Sequence, residues 1–227
     1  MFKQSELEVK GLVMAVLVTL LVLVGGIVEI VPLFQTRATA VAIPEVKPYT
    51  PLELEGRDIF VREGCYLCHS QQVRPFRDET ERYGPYSKAG ESIYDRPFQW
   101  GSKRTGPDLA RVGGKYPDSW HYTHMNNPRD IERESVMPNY PWLLTNKLDL
   151  GLTRRKLLVH RTLGAPYTDQ EIEGWEASVQ AQADAIKGRL QAAGVADARS
   201  DREIIALIAY LQRLGTDIGW RNKVGAQ

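Results

Sequence analysis

The densest chemistry in the chain lies at residues 64–69, which read Gly-Cys-Tyr-Leu-Cys-His. Cys-x-x-Cys-His is the spacing at which a c-type haem is attached covalently. On one short helical turn the sulfurs of Cys65 and Cys68 reach the two vinyl groups of a single porphyrin, and His69 faces the iron from the same side. Other uses of a cysteine pair fit less well. A thioredoxin-like redox pair belongs beside a βαβ pattern, and no strand-rich segment flanks this one. A structural zinc site takes four ligands, and Cys65 and Cys68 are the only cysteines. The same count excludes a disulfide scaffold and leaves no second cysteine pair for a dicopper electron-entry centre.

The second axial ligand must come from elsewhere. Iron held between His and Met is the usual electron-transfer arrangement, and the soft thioether raises the reduction potential. Of four methionines, Met1 and Met14 lie before or inside an apolar run and are out of reach. Met137 sits in Ser135-Val136-Met137-Pro138-Asn139-Tyr140-Pro141, an irregular loop stiffened by prolines. Met125 lies in a helix expected over Asp118 to Asn126, where a buried Met is more often packing. Met137 is therefore the expected ligand, with Met125, His121, His124 and His160 as the alternatives. An iron closed on both faces by His69 and Met137 has no open position for oxygen, so no catalytic residue is expected.

Helical periodicity brackets the motif. Before it, Leu52, Gly56, Ile59 and Phe60 recur at three- and four-residue spacing. Near the end, Ile204, Ile205, Leu207, Ile208, Leu211 and Leu214 do the same, with Gly215 as a stop. A third helix is expected from Thr168 to Ala193, with Thr168 as N-cap and Glu171 closing a capping box. Its face of Ile172, Trp175, Val179, Ala183, Ile186 and Leu190 suits either the domain or a partner.

Residues 11–34 read GLVMAVLVTLLVLVGGIVEIVPLF, long enough for the roughly 30 Å core of a bilayer. Ala38-Thr39-Ala40 and Ala40-Val41-Ala42 resemble signal cleavage sites, but the run exceeds the roughly 7–15 residues of a signal core, and a retained anchor is expected. Glu29, the one ionisable residue in the run, lies about 27 Å along the helix from Gly11 at 1.5 Å per residue, near the far interface. Lys3 and Lys10 are opposed by Glu6 and Glu8, and Arg37 follows the span, so charge alone orients it weakly. Lys+Arg 29 against Asp+Glu 28 argues against a nucleic-acid binder, which carries a cationic excess.

An N-terminal helix running into Cys-x-x-Cys-His and a C-terminal helix with Ala209-Tyr210-Leu211 resemble a class I cytochrome c. In that family the two helices cross, roles that Gly56, Phe60 and Tyr210 fit. Gly106-Pro107-Asp108-Leu109 matches the family's Gly-Pro-x-Leu turn, which implies that the Pro107 carbonyl accepts a hydrogen bond from His69. More specifically, CHSQQVRPFRDETERYGPYSKAGE, FQWGSKRTGPDLARVGGKYPDSWH and SVMPNYPWL resemble the mono-haem subunit II of cbb3-type (C-family) haem–copper oxidases, through about residue 145.

The resemblance implies an all-α chain: a transmembrane helix followed by a class I cytochrome c domain with inserted loops. The expected division is a short cytoplasmic N-terminus (1–10), the anchor (11–34), a linker (35–51) and a periplasmic domain with one covalent haem c (52–227). The membrane is the bacterial inner membrane, crossed once. Electrons would pass from a di-haem cytochrome c subunit through this haem to a catalytic subunit holding b haems and copper. The insert from Ser70 to Thr105, with Arg74, Arg77, Arg96, Lys103 and Arg104 among aromatics, would pack on that catalytic subunit, its cations near acidic groups such as haem propionates. The competing reading, a freestanding membrane-tethered shuttle, wants a long flexible tether, and only about 15 residues, many Pro or β-branched, separate Phe34 from the first domain helix.

Overall fold

The computed structural model describes residues 4–35 and 41–219. Lys3, Arg37 and Ala38-Thr39-Ala40 lie outside the described residues. The chain divides into two compact units, 1–41 and 42–227.

The first unit is helical. A short helix α1 (Gln4–Val9) precedes α2 (Gly11–Gln35). Residues Gly11–Pro32 have a mean hydropathy of 2.8, and none of that stretch is buried within the chain. At 1.5 Å per residue these residues span about 33 Å, which fits a membrane anchor. Thr19 Oγ1 donates to the Ala15 carbonyl at 2.8 Å, so its hydroxyl is satisfied without water. The exposed Glu29 remains the only ionisable residue in the span.

The second unit is built from helices α3 (Pro51–Arg62), α4 (Arg77–Tyr83), α5 (Asp118–Asn126), α6 (Trp142–Thr145), α7 (Thr153–Thr162), α8 (Asp169–Glu173), α9 (Trp175–Ala192) and α10 (Glu203–Arg213). Among the described residues the sole β feature is an isolated bridge between Lys147 and Arg202. The architecture is all-α, as the periodicity implies.

Helix α3 starts where its sequence dictates. Thr50 caps it, Pro51 occupies the first turn, and Glu53 closes the box on the Thr50 backbone, satisfying amide donors that a helix start leaves free. Its apolar face crosses α10, whose residues Ile204 to Leu211 are all buried. Gly56 sits at the crossing: a Cβ there would lie 1.9 Å from the Ala206 carbonyl oxygen. Phe60 and Tyr210 meet with ring centroids 5.4 Å apart, and Tyr49 reaches Tyr210 edge-on at 5.6 Å. The crossing is the cytochrome c arrangement that Gly56, Phe60 and Tyr210 suggest.

The stretch expected to be one helix from Thr168 is two, α8 and α9, meeting at Gly174, whose N–H closes α8 on the Gln170 carbonyl at 2.9 Å. Glycine in a helix interior costs about 1 kcal/mol relative to alanine, and the break re-aims the apolar stripe. The Thr168–Glu171 capping box is present. Val179, Ala183, Ile186 and Leu190 join the main core with α3 and α10, whereas Ile172 joins a smaller cluster with Leu54, Leu157, Ala165 and Tyr167. This face therefore covers the chain's own domain.

The insert between Ser70 and Thr105 is held to the domain by ion pairs. Arg57 of α3 pairs with the buried Asp95 and donates to the Pro97 carbonyl at 2.8 Å. Arg111 clasps Glu91 at 2.6 and 3.0 Å and the Pro85 carbonyl at 3.0 Å. Both carboxylates lie in the insert, so it is bound at more than one point.

Candidate haem site

Gly64, with φ of 70°, turns the chain out of α3 into one 3-10 turn, Cys65–Leu67. The amides of Cys68 and His69 both donate to the Cys65 carbonyl, at 3.2 and 2.9 Å. This winding places both sulfurs and the imidazole on one short turn. Cys65 is half-buried, Cys68 is exposed, and the two are not joined in a disulfide. Burial, then the Glu63 charge, push the Cys65 thiol up to about 12. A redox-active cysteine pair has the opposite signature, a lowered pKa.

The His69 ring Nδ1 lies 2.8 Å from the Pro107 carbonyl oxygen. A carbonyl can only accept, so Nδ1 carries the proton and Nε2 presents a lone pair. Burial lowers the His69 pKa, against the opposing pull of the Pro107 hydrogen bond and the Asp108 charge, which favours the neutral, ligating imidazole. Gly106 lies flat against the ring: a Cβ there would sit 2.2 Å from Cε1. Two backbone bonds tie this turn to the motif, Gly106 N to Cys68 O at 3.0 Å and Leu109 N to Ser70 O at 2.8 Å.

Met137 is partly buried against the main core, in an irregular segment between α5 and α6. Arg129 Nη1 donates to the carbonyls of Ser135 and Met137 at 3.1 and 3.0 Å, and the Tyr140 amide donates to Met125 O at 2.8 Å. The segment then runs beside the motif. Trp142 Nε1 donates to Glu63 Oε2 at 3.2 Å, and the Tyr140 hydroxyl is raised by burial first and then by Cys65, Cys68 and Glu63. Met125 is 8% exposed within the core, the packing role expected of it.

The alternative histidines differ in placement. His121 and His124 project from α5; the His121 Nε2 and His124 Nδ1 atoms are buried without hydrogen-bond partners. His124 stacks on Trp120 with centroids 4.5 Å apart, and burial first, then the neighbouring His69, lower its pKa. His160 lies on α7 among Arg57, Asp58 and Arg96.

These residues fit a haem. Two thiols and a lone-pair nitrogen share one turn, the donor set that covalent haem attachment and axial ligation require. One residue beside the site carries no sequence signal. Glu79 is one acidic residue among 28, yet its side chain is 4% exposed and takes both Arg74 and Arg104. Both arginines are paired within the chain, Arg104 with its side chain 14% exposed and Arg74 with its side chain 41% exposed.

A family model described as cytochrome c oxidase, mono-haem subunit/FixO, matches residues 4–218. No curated protein matches the chain.

Proposed function

The chain belongs to the family of mono-haem cytochrome c oxidase subunits, and from that premise we propose that it relays electrons through one covalently attached haem c to the catalytic subunit of its oxidase. The carrying observation is the His69 imidazole, hydrogen-bonded through Nδ1 to Pro107 at 2.8 Å one turn from both cysteines, with Nε2 left to ligate. A haem bound there supplies a one-electron couple. Cys65 and Cys68 would each add a thiol S–H across a vinyl C=C, forming two thioethers with no leaving group. His69 would provide the proximal nitrogen and Met137 the opposing thioether, leaving no position for oxygen.

The same reading orients the molecule. Residues 1–10 form the cytoplasmic end, 11–34 the single span of the bacterial inner membrane, 35–51 the linker, and 52–227 the periplasmic haem domain. Electrons enter from a di-haem cytochrome c subunit of the same complex and leave toward b haems and copper. Family membership favours this docked role over a freestanding shuttle. Besides Arg74 and Arg104, which pair with Glu79, the insert carries five exposed cations that could meet a partner: Arg77, Arg82, Lys88, Arg96 and Lys103.

The test is purification of the full chain from native membranes in mild detergent. The expected result is a pyridine spectrum of thioether-linked haem, one per chain, co-eluting with b haems. A chain that isolates alone, or whose haem extracts into acidified organic solvent, would overturn the reading.

A further inference from the structure

The segments on either side of the His69–Pro107 hydrogen bond are joined by side chains as well as by backbone. Ser70 Oγ donates to Asp108 Oδ2 at 2.6 Å, and the Gln72 amide donates to the same oxygen at 2.8 Å. Arg104 spans the remaining distance: its Nε donates to Ser70 Oγ at 2.8 Å and its Nη2 to the Gln72 carbonyl at 2.6 Å. The guanidinium itself is held by Glu79, Nη1 to Oε1 at 2.6 Å and Nη2 to Oε2 at 2.7 Å. Arg74 closes the other side of that carboxylate with its amide at 2.8 Å and its Nε at 2.5 Å. The side chains of Asp108, Glu79 and Arg104 are 0%, 4% and 14% exposed.

The arrangement brackets the imidazole. Ser70 follows His69 directly and Gln72 lies two residues further on; Arg104 and Asp108 flank Gly106-Pro107. A planar fork with four donors engaged has little freedom to drift. Lysine in its place would keep the charge and lose the fork. Glu79 comes from α4, so the insert supplies the group that fixes the fork.

We propose that Arg104, clamped by Glu79, is a positioning residue for the proximal histidine: it locks the segment after His69 to the Gly106–Asp108 turn and so fixes the Nδ1–H to Pro107 bond. This inference rests on the haem reading above. A carbonyl drawing on Nδ1–H makes Nε2 a stronger donor and favours ferric iron, the kind of outer-shell tuning seen at metal sites. Loosening the lock shifts the couple toward ferrous.

The experiment uses the haem-loaded full chain in detergent and two charge-conserving variants, Arg104→Lys and Ser70→Ala. At a fixed ambient potential the ferrous-to-ferric ratio rises roughly tenfold in Arg104→Lys, about 59 mV for a one-electron couple, with a smaller rise in Ser70→Ala. Solvent exchange of the His69 Nδ1 proton, followed by NMR, quickens in both. Glu81→Gln, which removes the exposed partner of Arg77 on the same helix, leaves both readouts unchanged. If Arg104→Lys fails to accumulate, Ser70→Ala decides alone. Wild-type midpoint and exchange in variants that merely melt earlier would reduce the cluster to a structural brace and overturn the proposal. A wild-type chain without thioether haem would instead sink the haem reading, and the proposal with it, before any variant is compared.

Discussion

Replacing Gly56 with alanine tests the helix crossing on which the haem turn stands. The new Cβ would lie 1.9 Å from Ala206 O, 2.5 Å from Ala206 C and 2.8 Å from Tyr210 Cβ. Ordinary contact begins near 3.4 Å, so α3 and α10 must separate by more than an ångström. Neither backbone atom can rotate away, because both belong to α10. Overpacking of this kind typically costs about 1–3 kcal/mol, and more where backbone is the obstacle. Alanine returns about 1 kcal/mol of helix propensity. Taking the upper end, the net loss is about 2 kcal/mol or somewhat more. For a unit of this size each kcal/mol moves the melting temperature by about 2–4 °C, giving a fall of about 4–8 °C in the haem-loaded chain, followed by circular dichroism at 222 nm. Because α3 leads straight into Gly64 and Cys65, haem content per chain should fall as well. A variant melting within about 1 °C of wild type, well short of the shift expected for a unit of this size, with full haem content, would refute the close-crossing argument.

Three further outcomes follow from the site. Gly106→Ala would drive a methyl into the His69 ring, which lies 2.2 Å from the added carbon; ligation should be lost in a large fraction of chains, read as high-spin haem in the absorption spectrum, while a wild-type low-spin spectrum would contradict the contact. On the proposed ligation Met137→Ala would open the iron, so the reduced protein should bind carbon monoxide and its midpoint potential should drop, whereas Met125→Ala should cost roughly 2–5 kcal/mol of stability without opening it. Burial holds His121 down to about 4. Its folded pKa lies below the unfolded value near 6.5, so its contribution is complete above that pH and is lost as pH falls from about 6.5 to 4, at most about 3 kcal/mol. Denaturant midpoints measured across that window should fall less steeply in His121→Gln than in wild type.

Much of the crossing and the haem turn was legible in the residues alone, because both depend on local rules. Cys65, Cys68 and His69 fall within five consecutive residues, and one turn of helix decides which way they point. The α3 cap is written in Thr50-Pro51 and Glu53, and α5 falls on Asp118–Asn126. Repeated apolar spacing marks α10 over most of its length. The division at Gly174 was less legible, since the apolar stripe continues through it and only the packing shows that Ile172 and Val179 enter different clusters.

By itself the sequence determined the Cys-x-x-Cys-His spacing, the apolar span and the helical class, all set by residues close together along the chain or by simple period. Tertiary structure decided the rest. Arg74 and Arg104 read in sequence as two of several cations in the insert, and only folding brings Glu79 between them. Their pairing joins residues as far as 25 positions apart in sequence, and the cost of burying a carboxylate is met only when donors arrive from several segments at once. No local pattern records that meeting, because it exists only after α4 has folded back against the turn that holds the histidine.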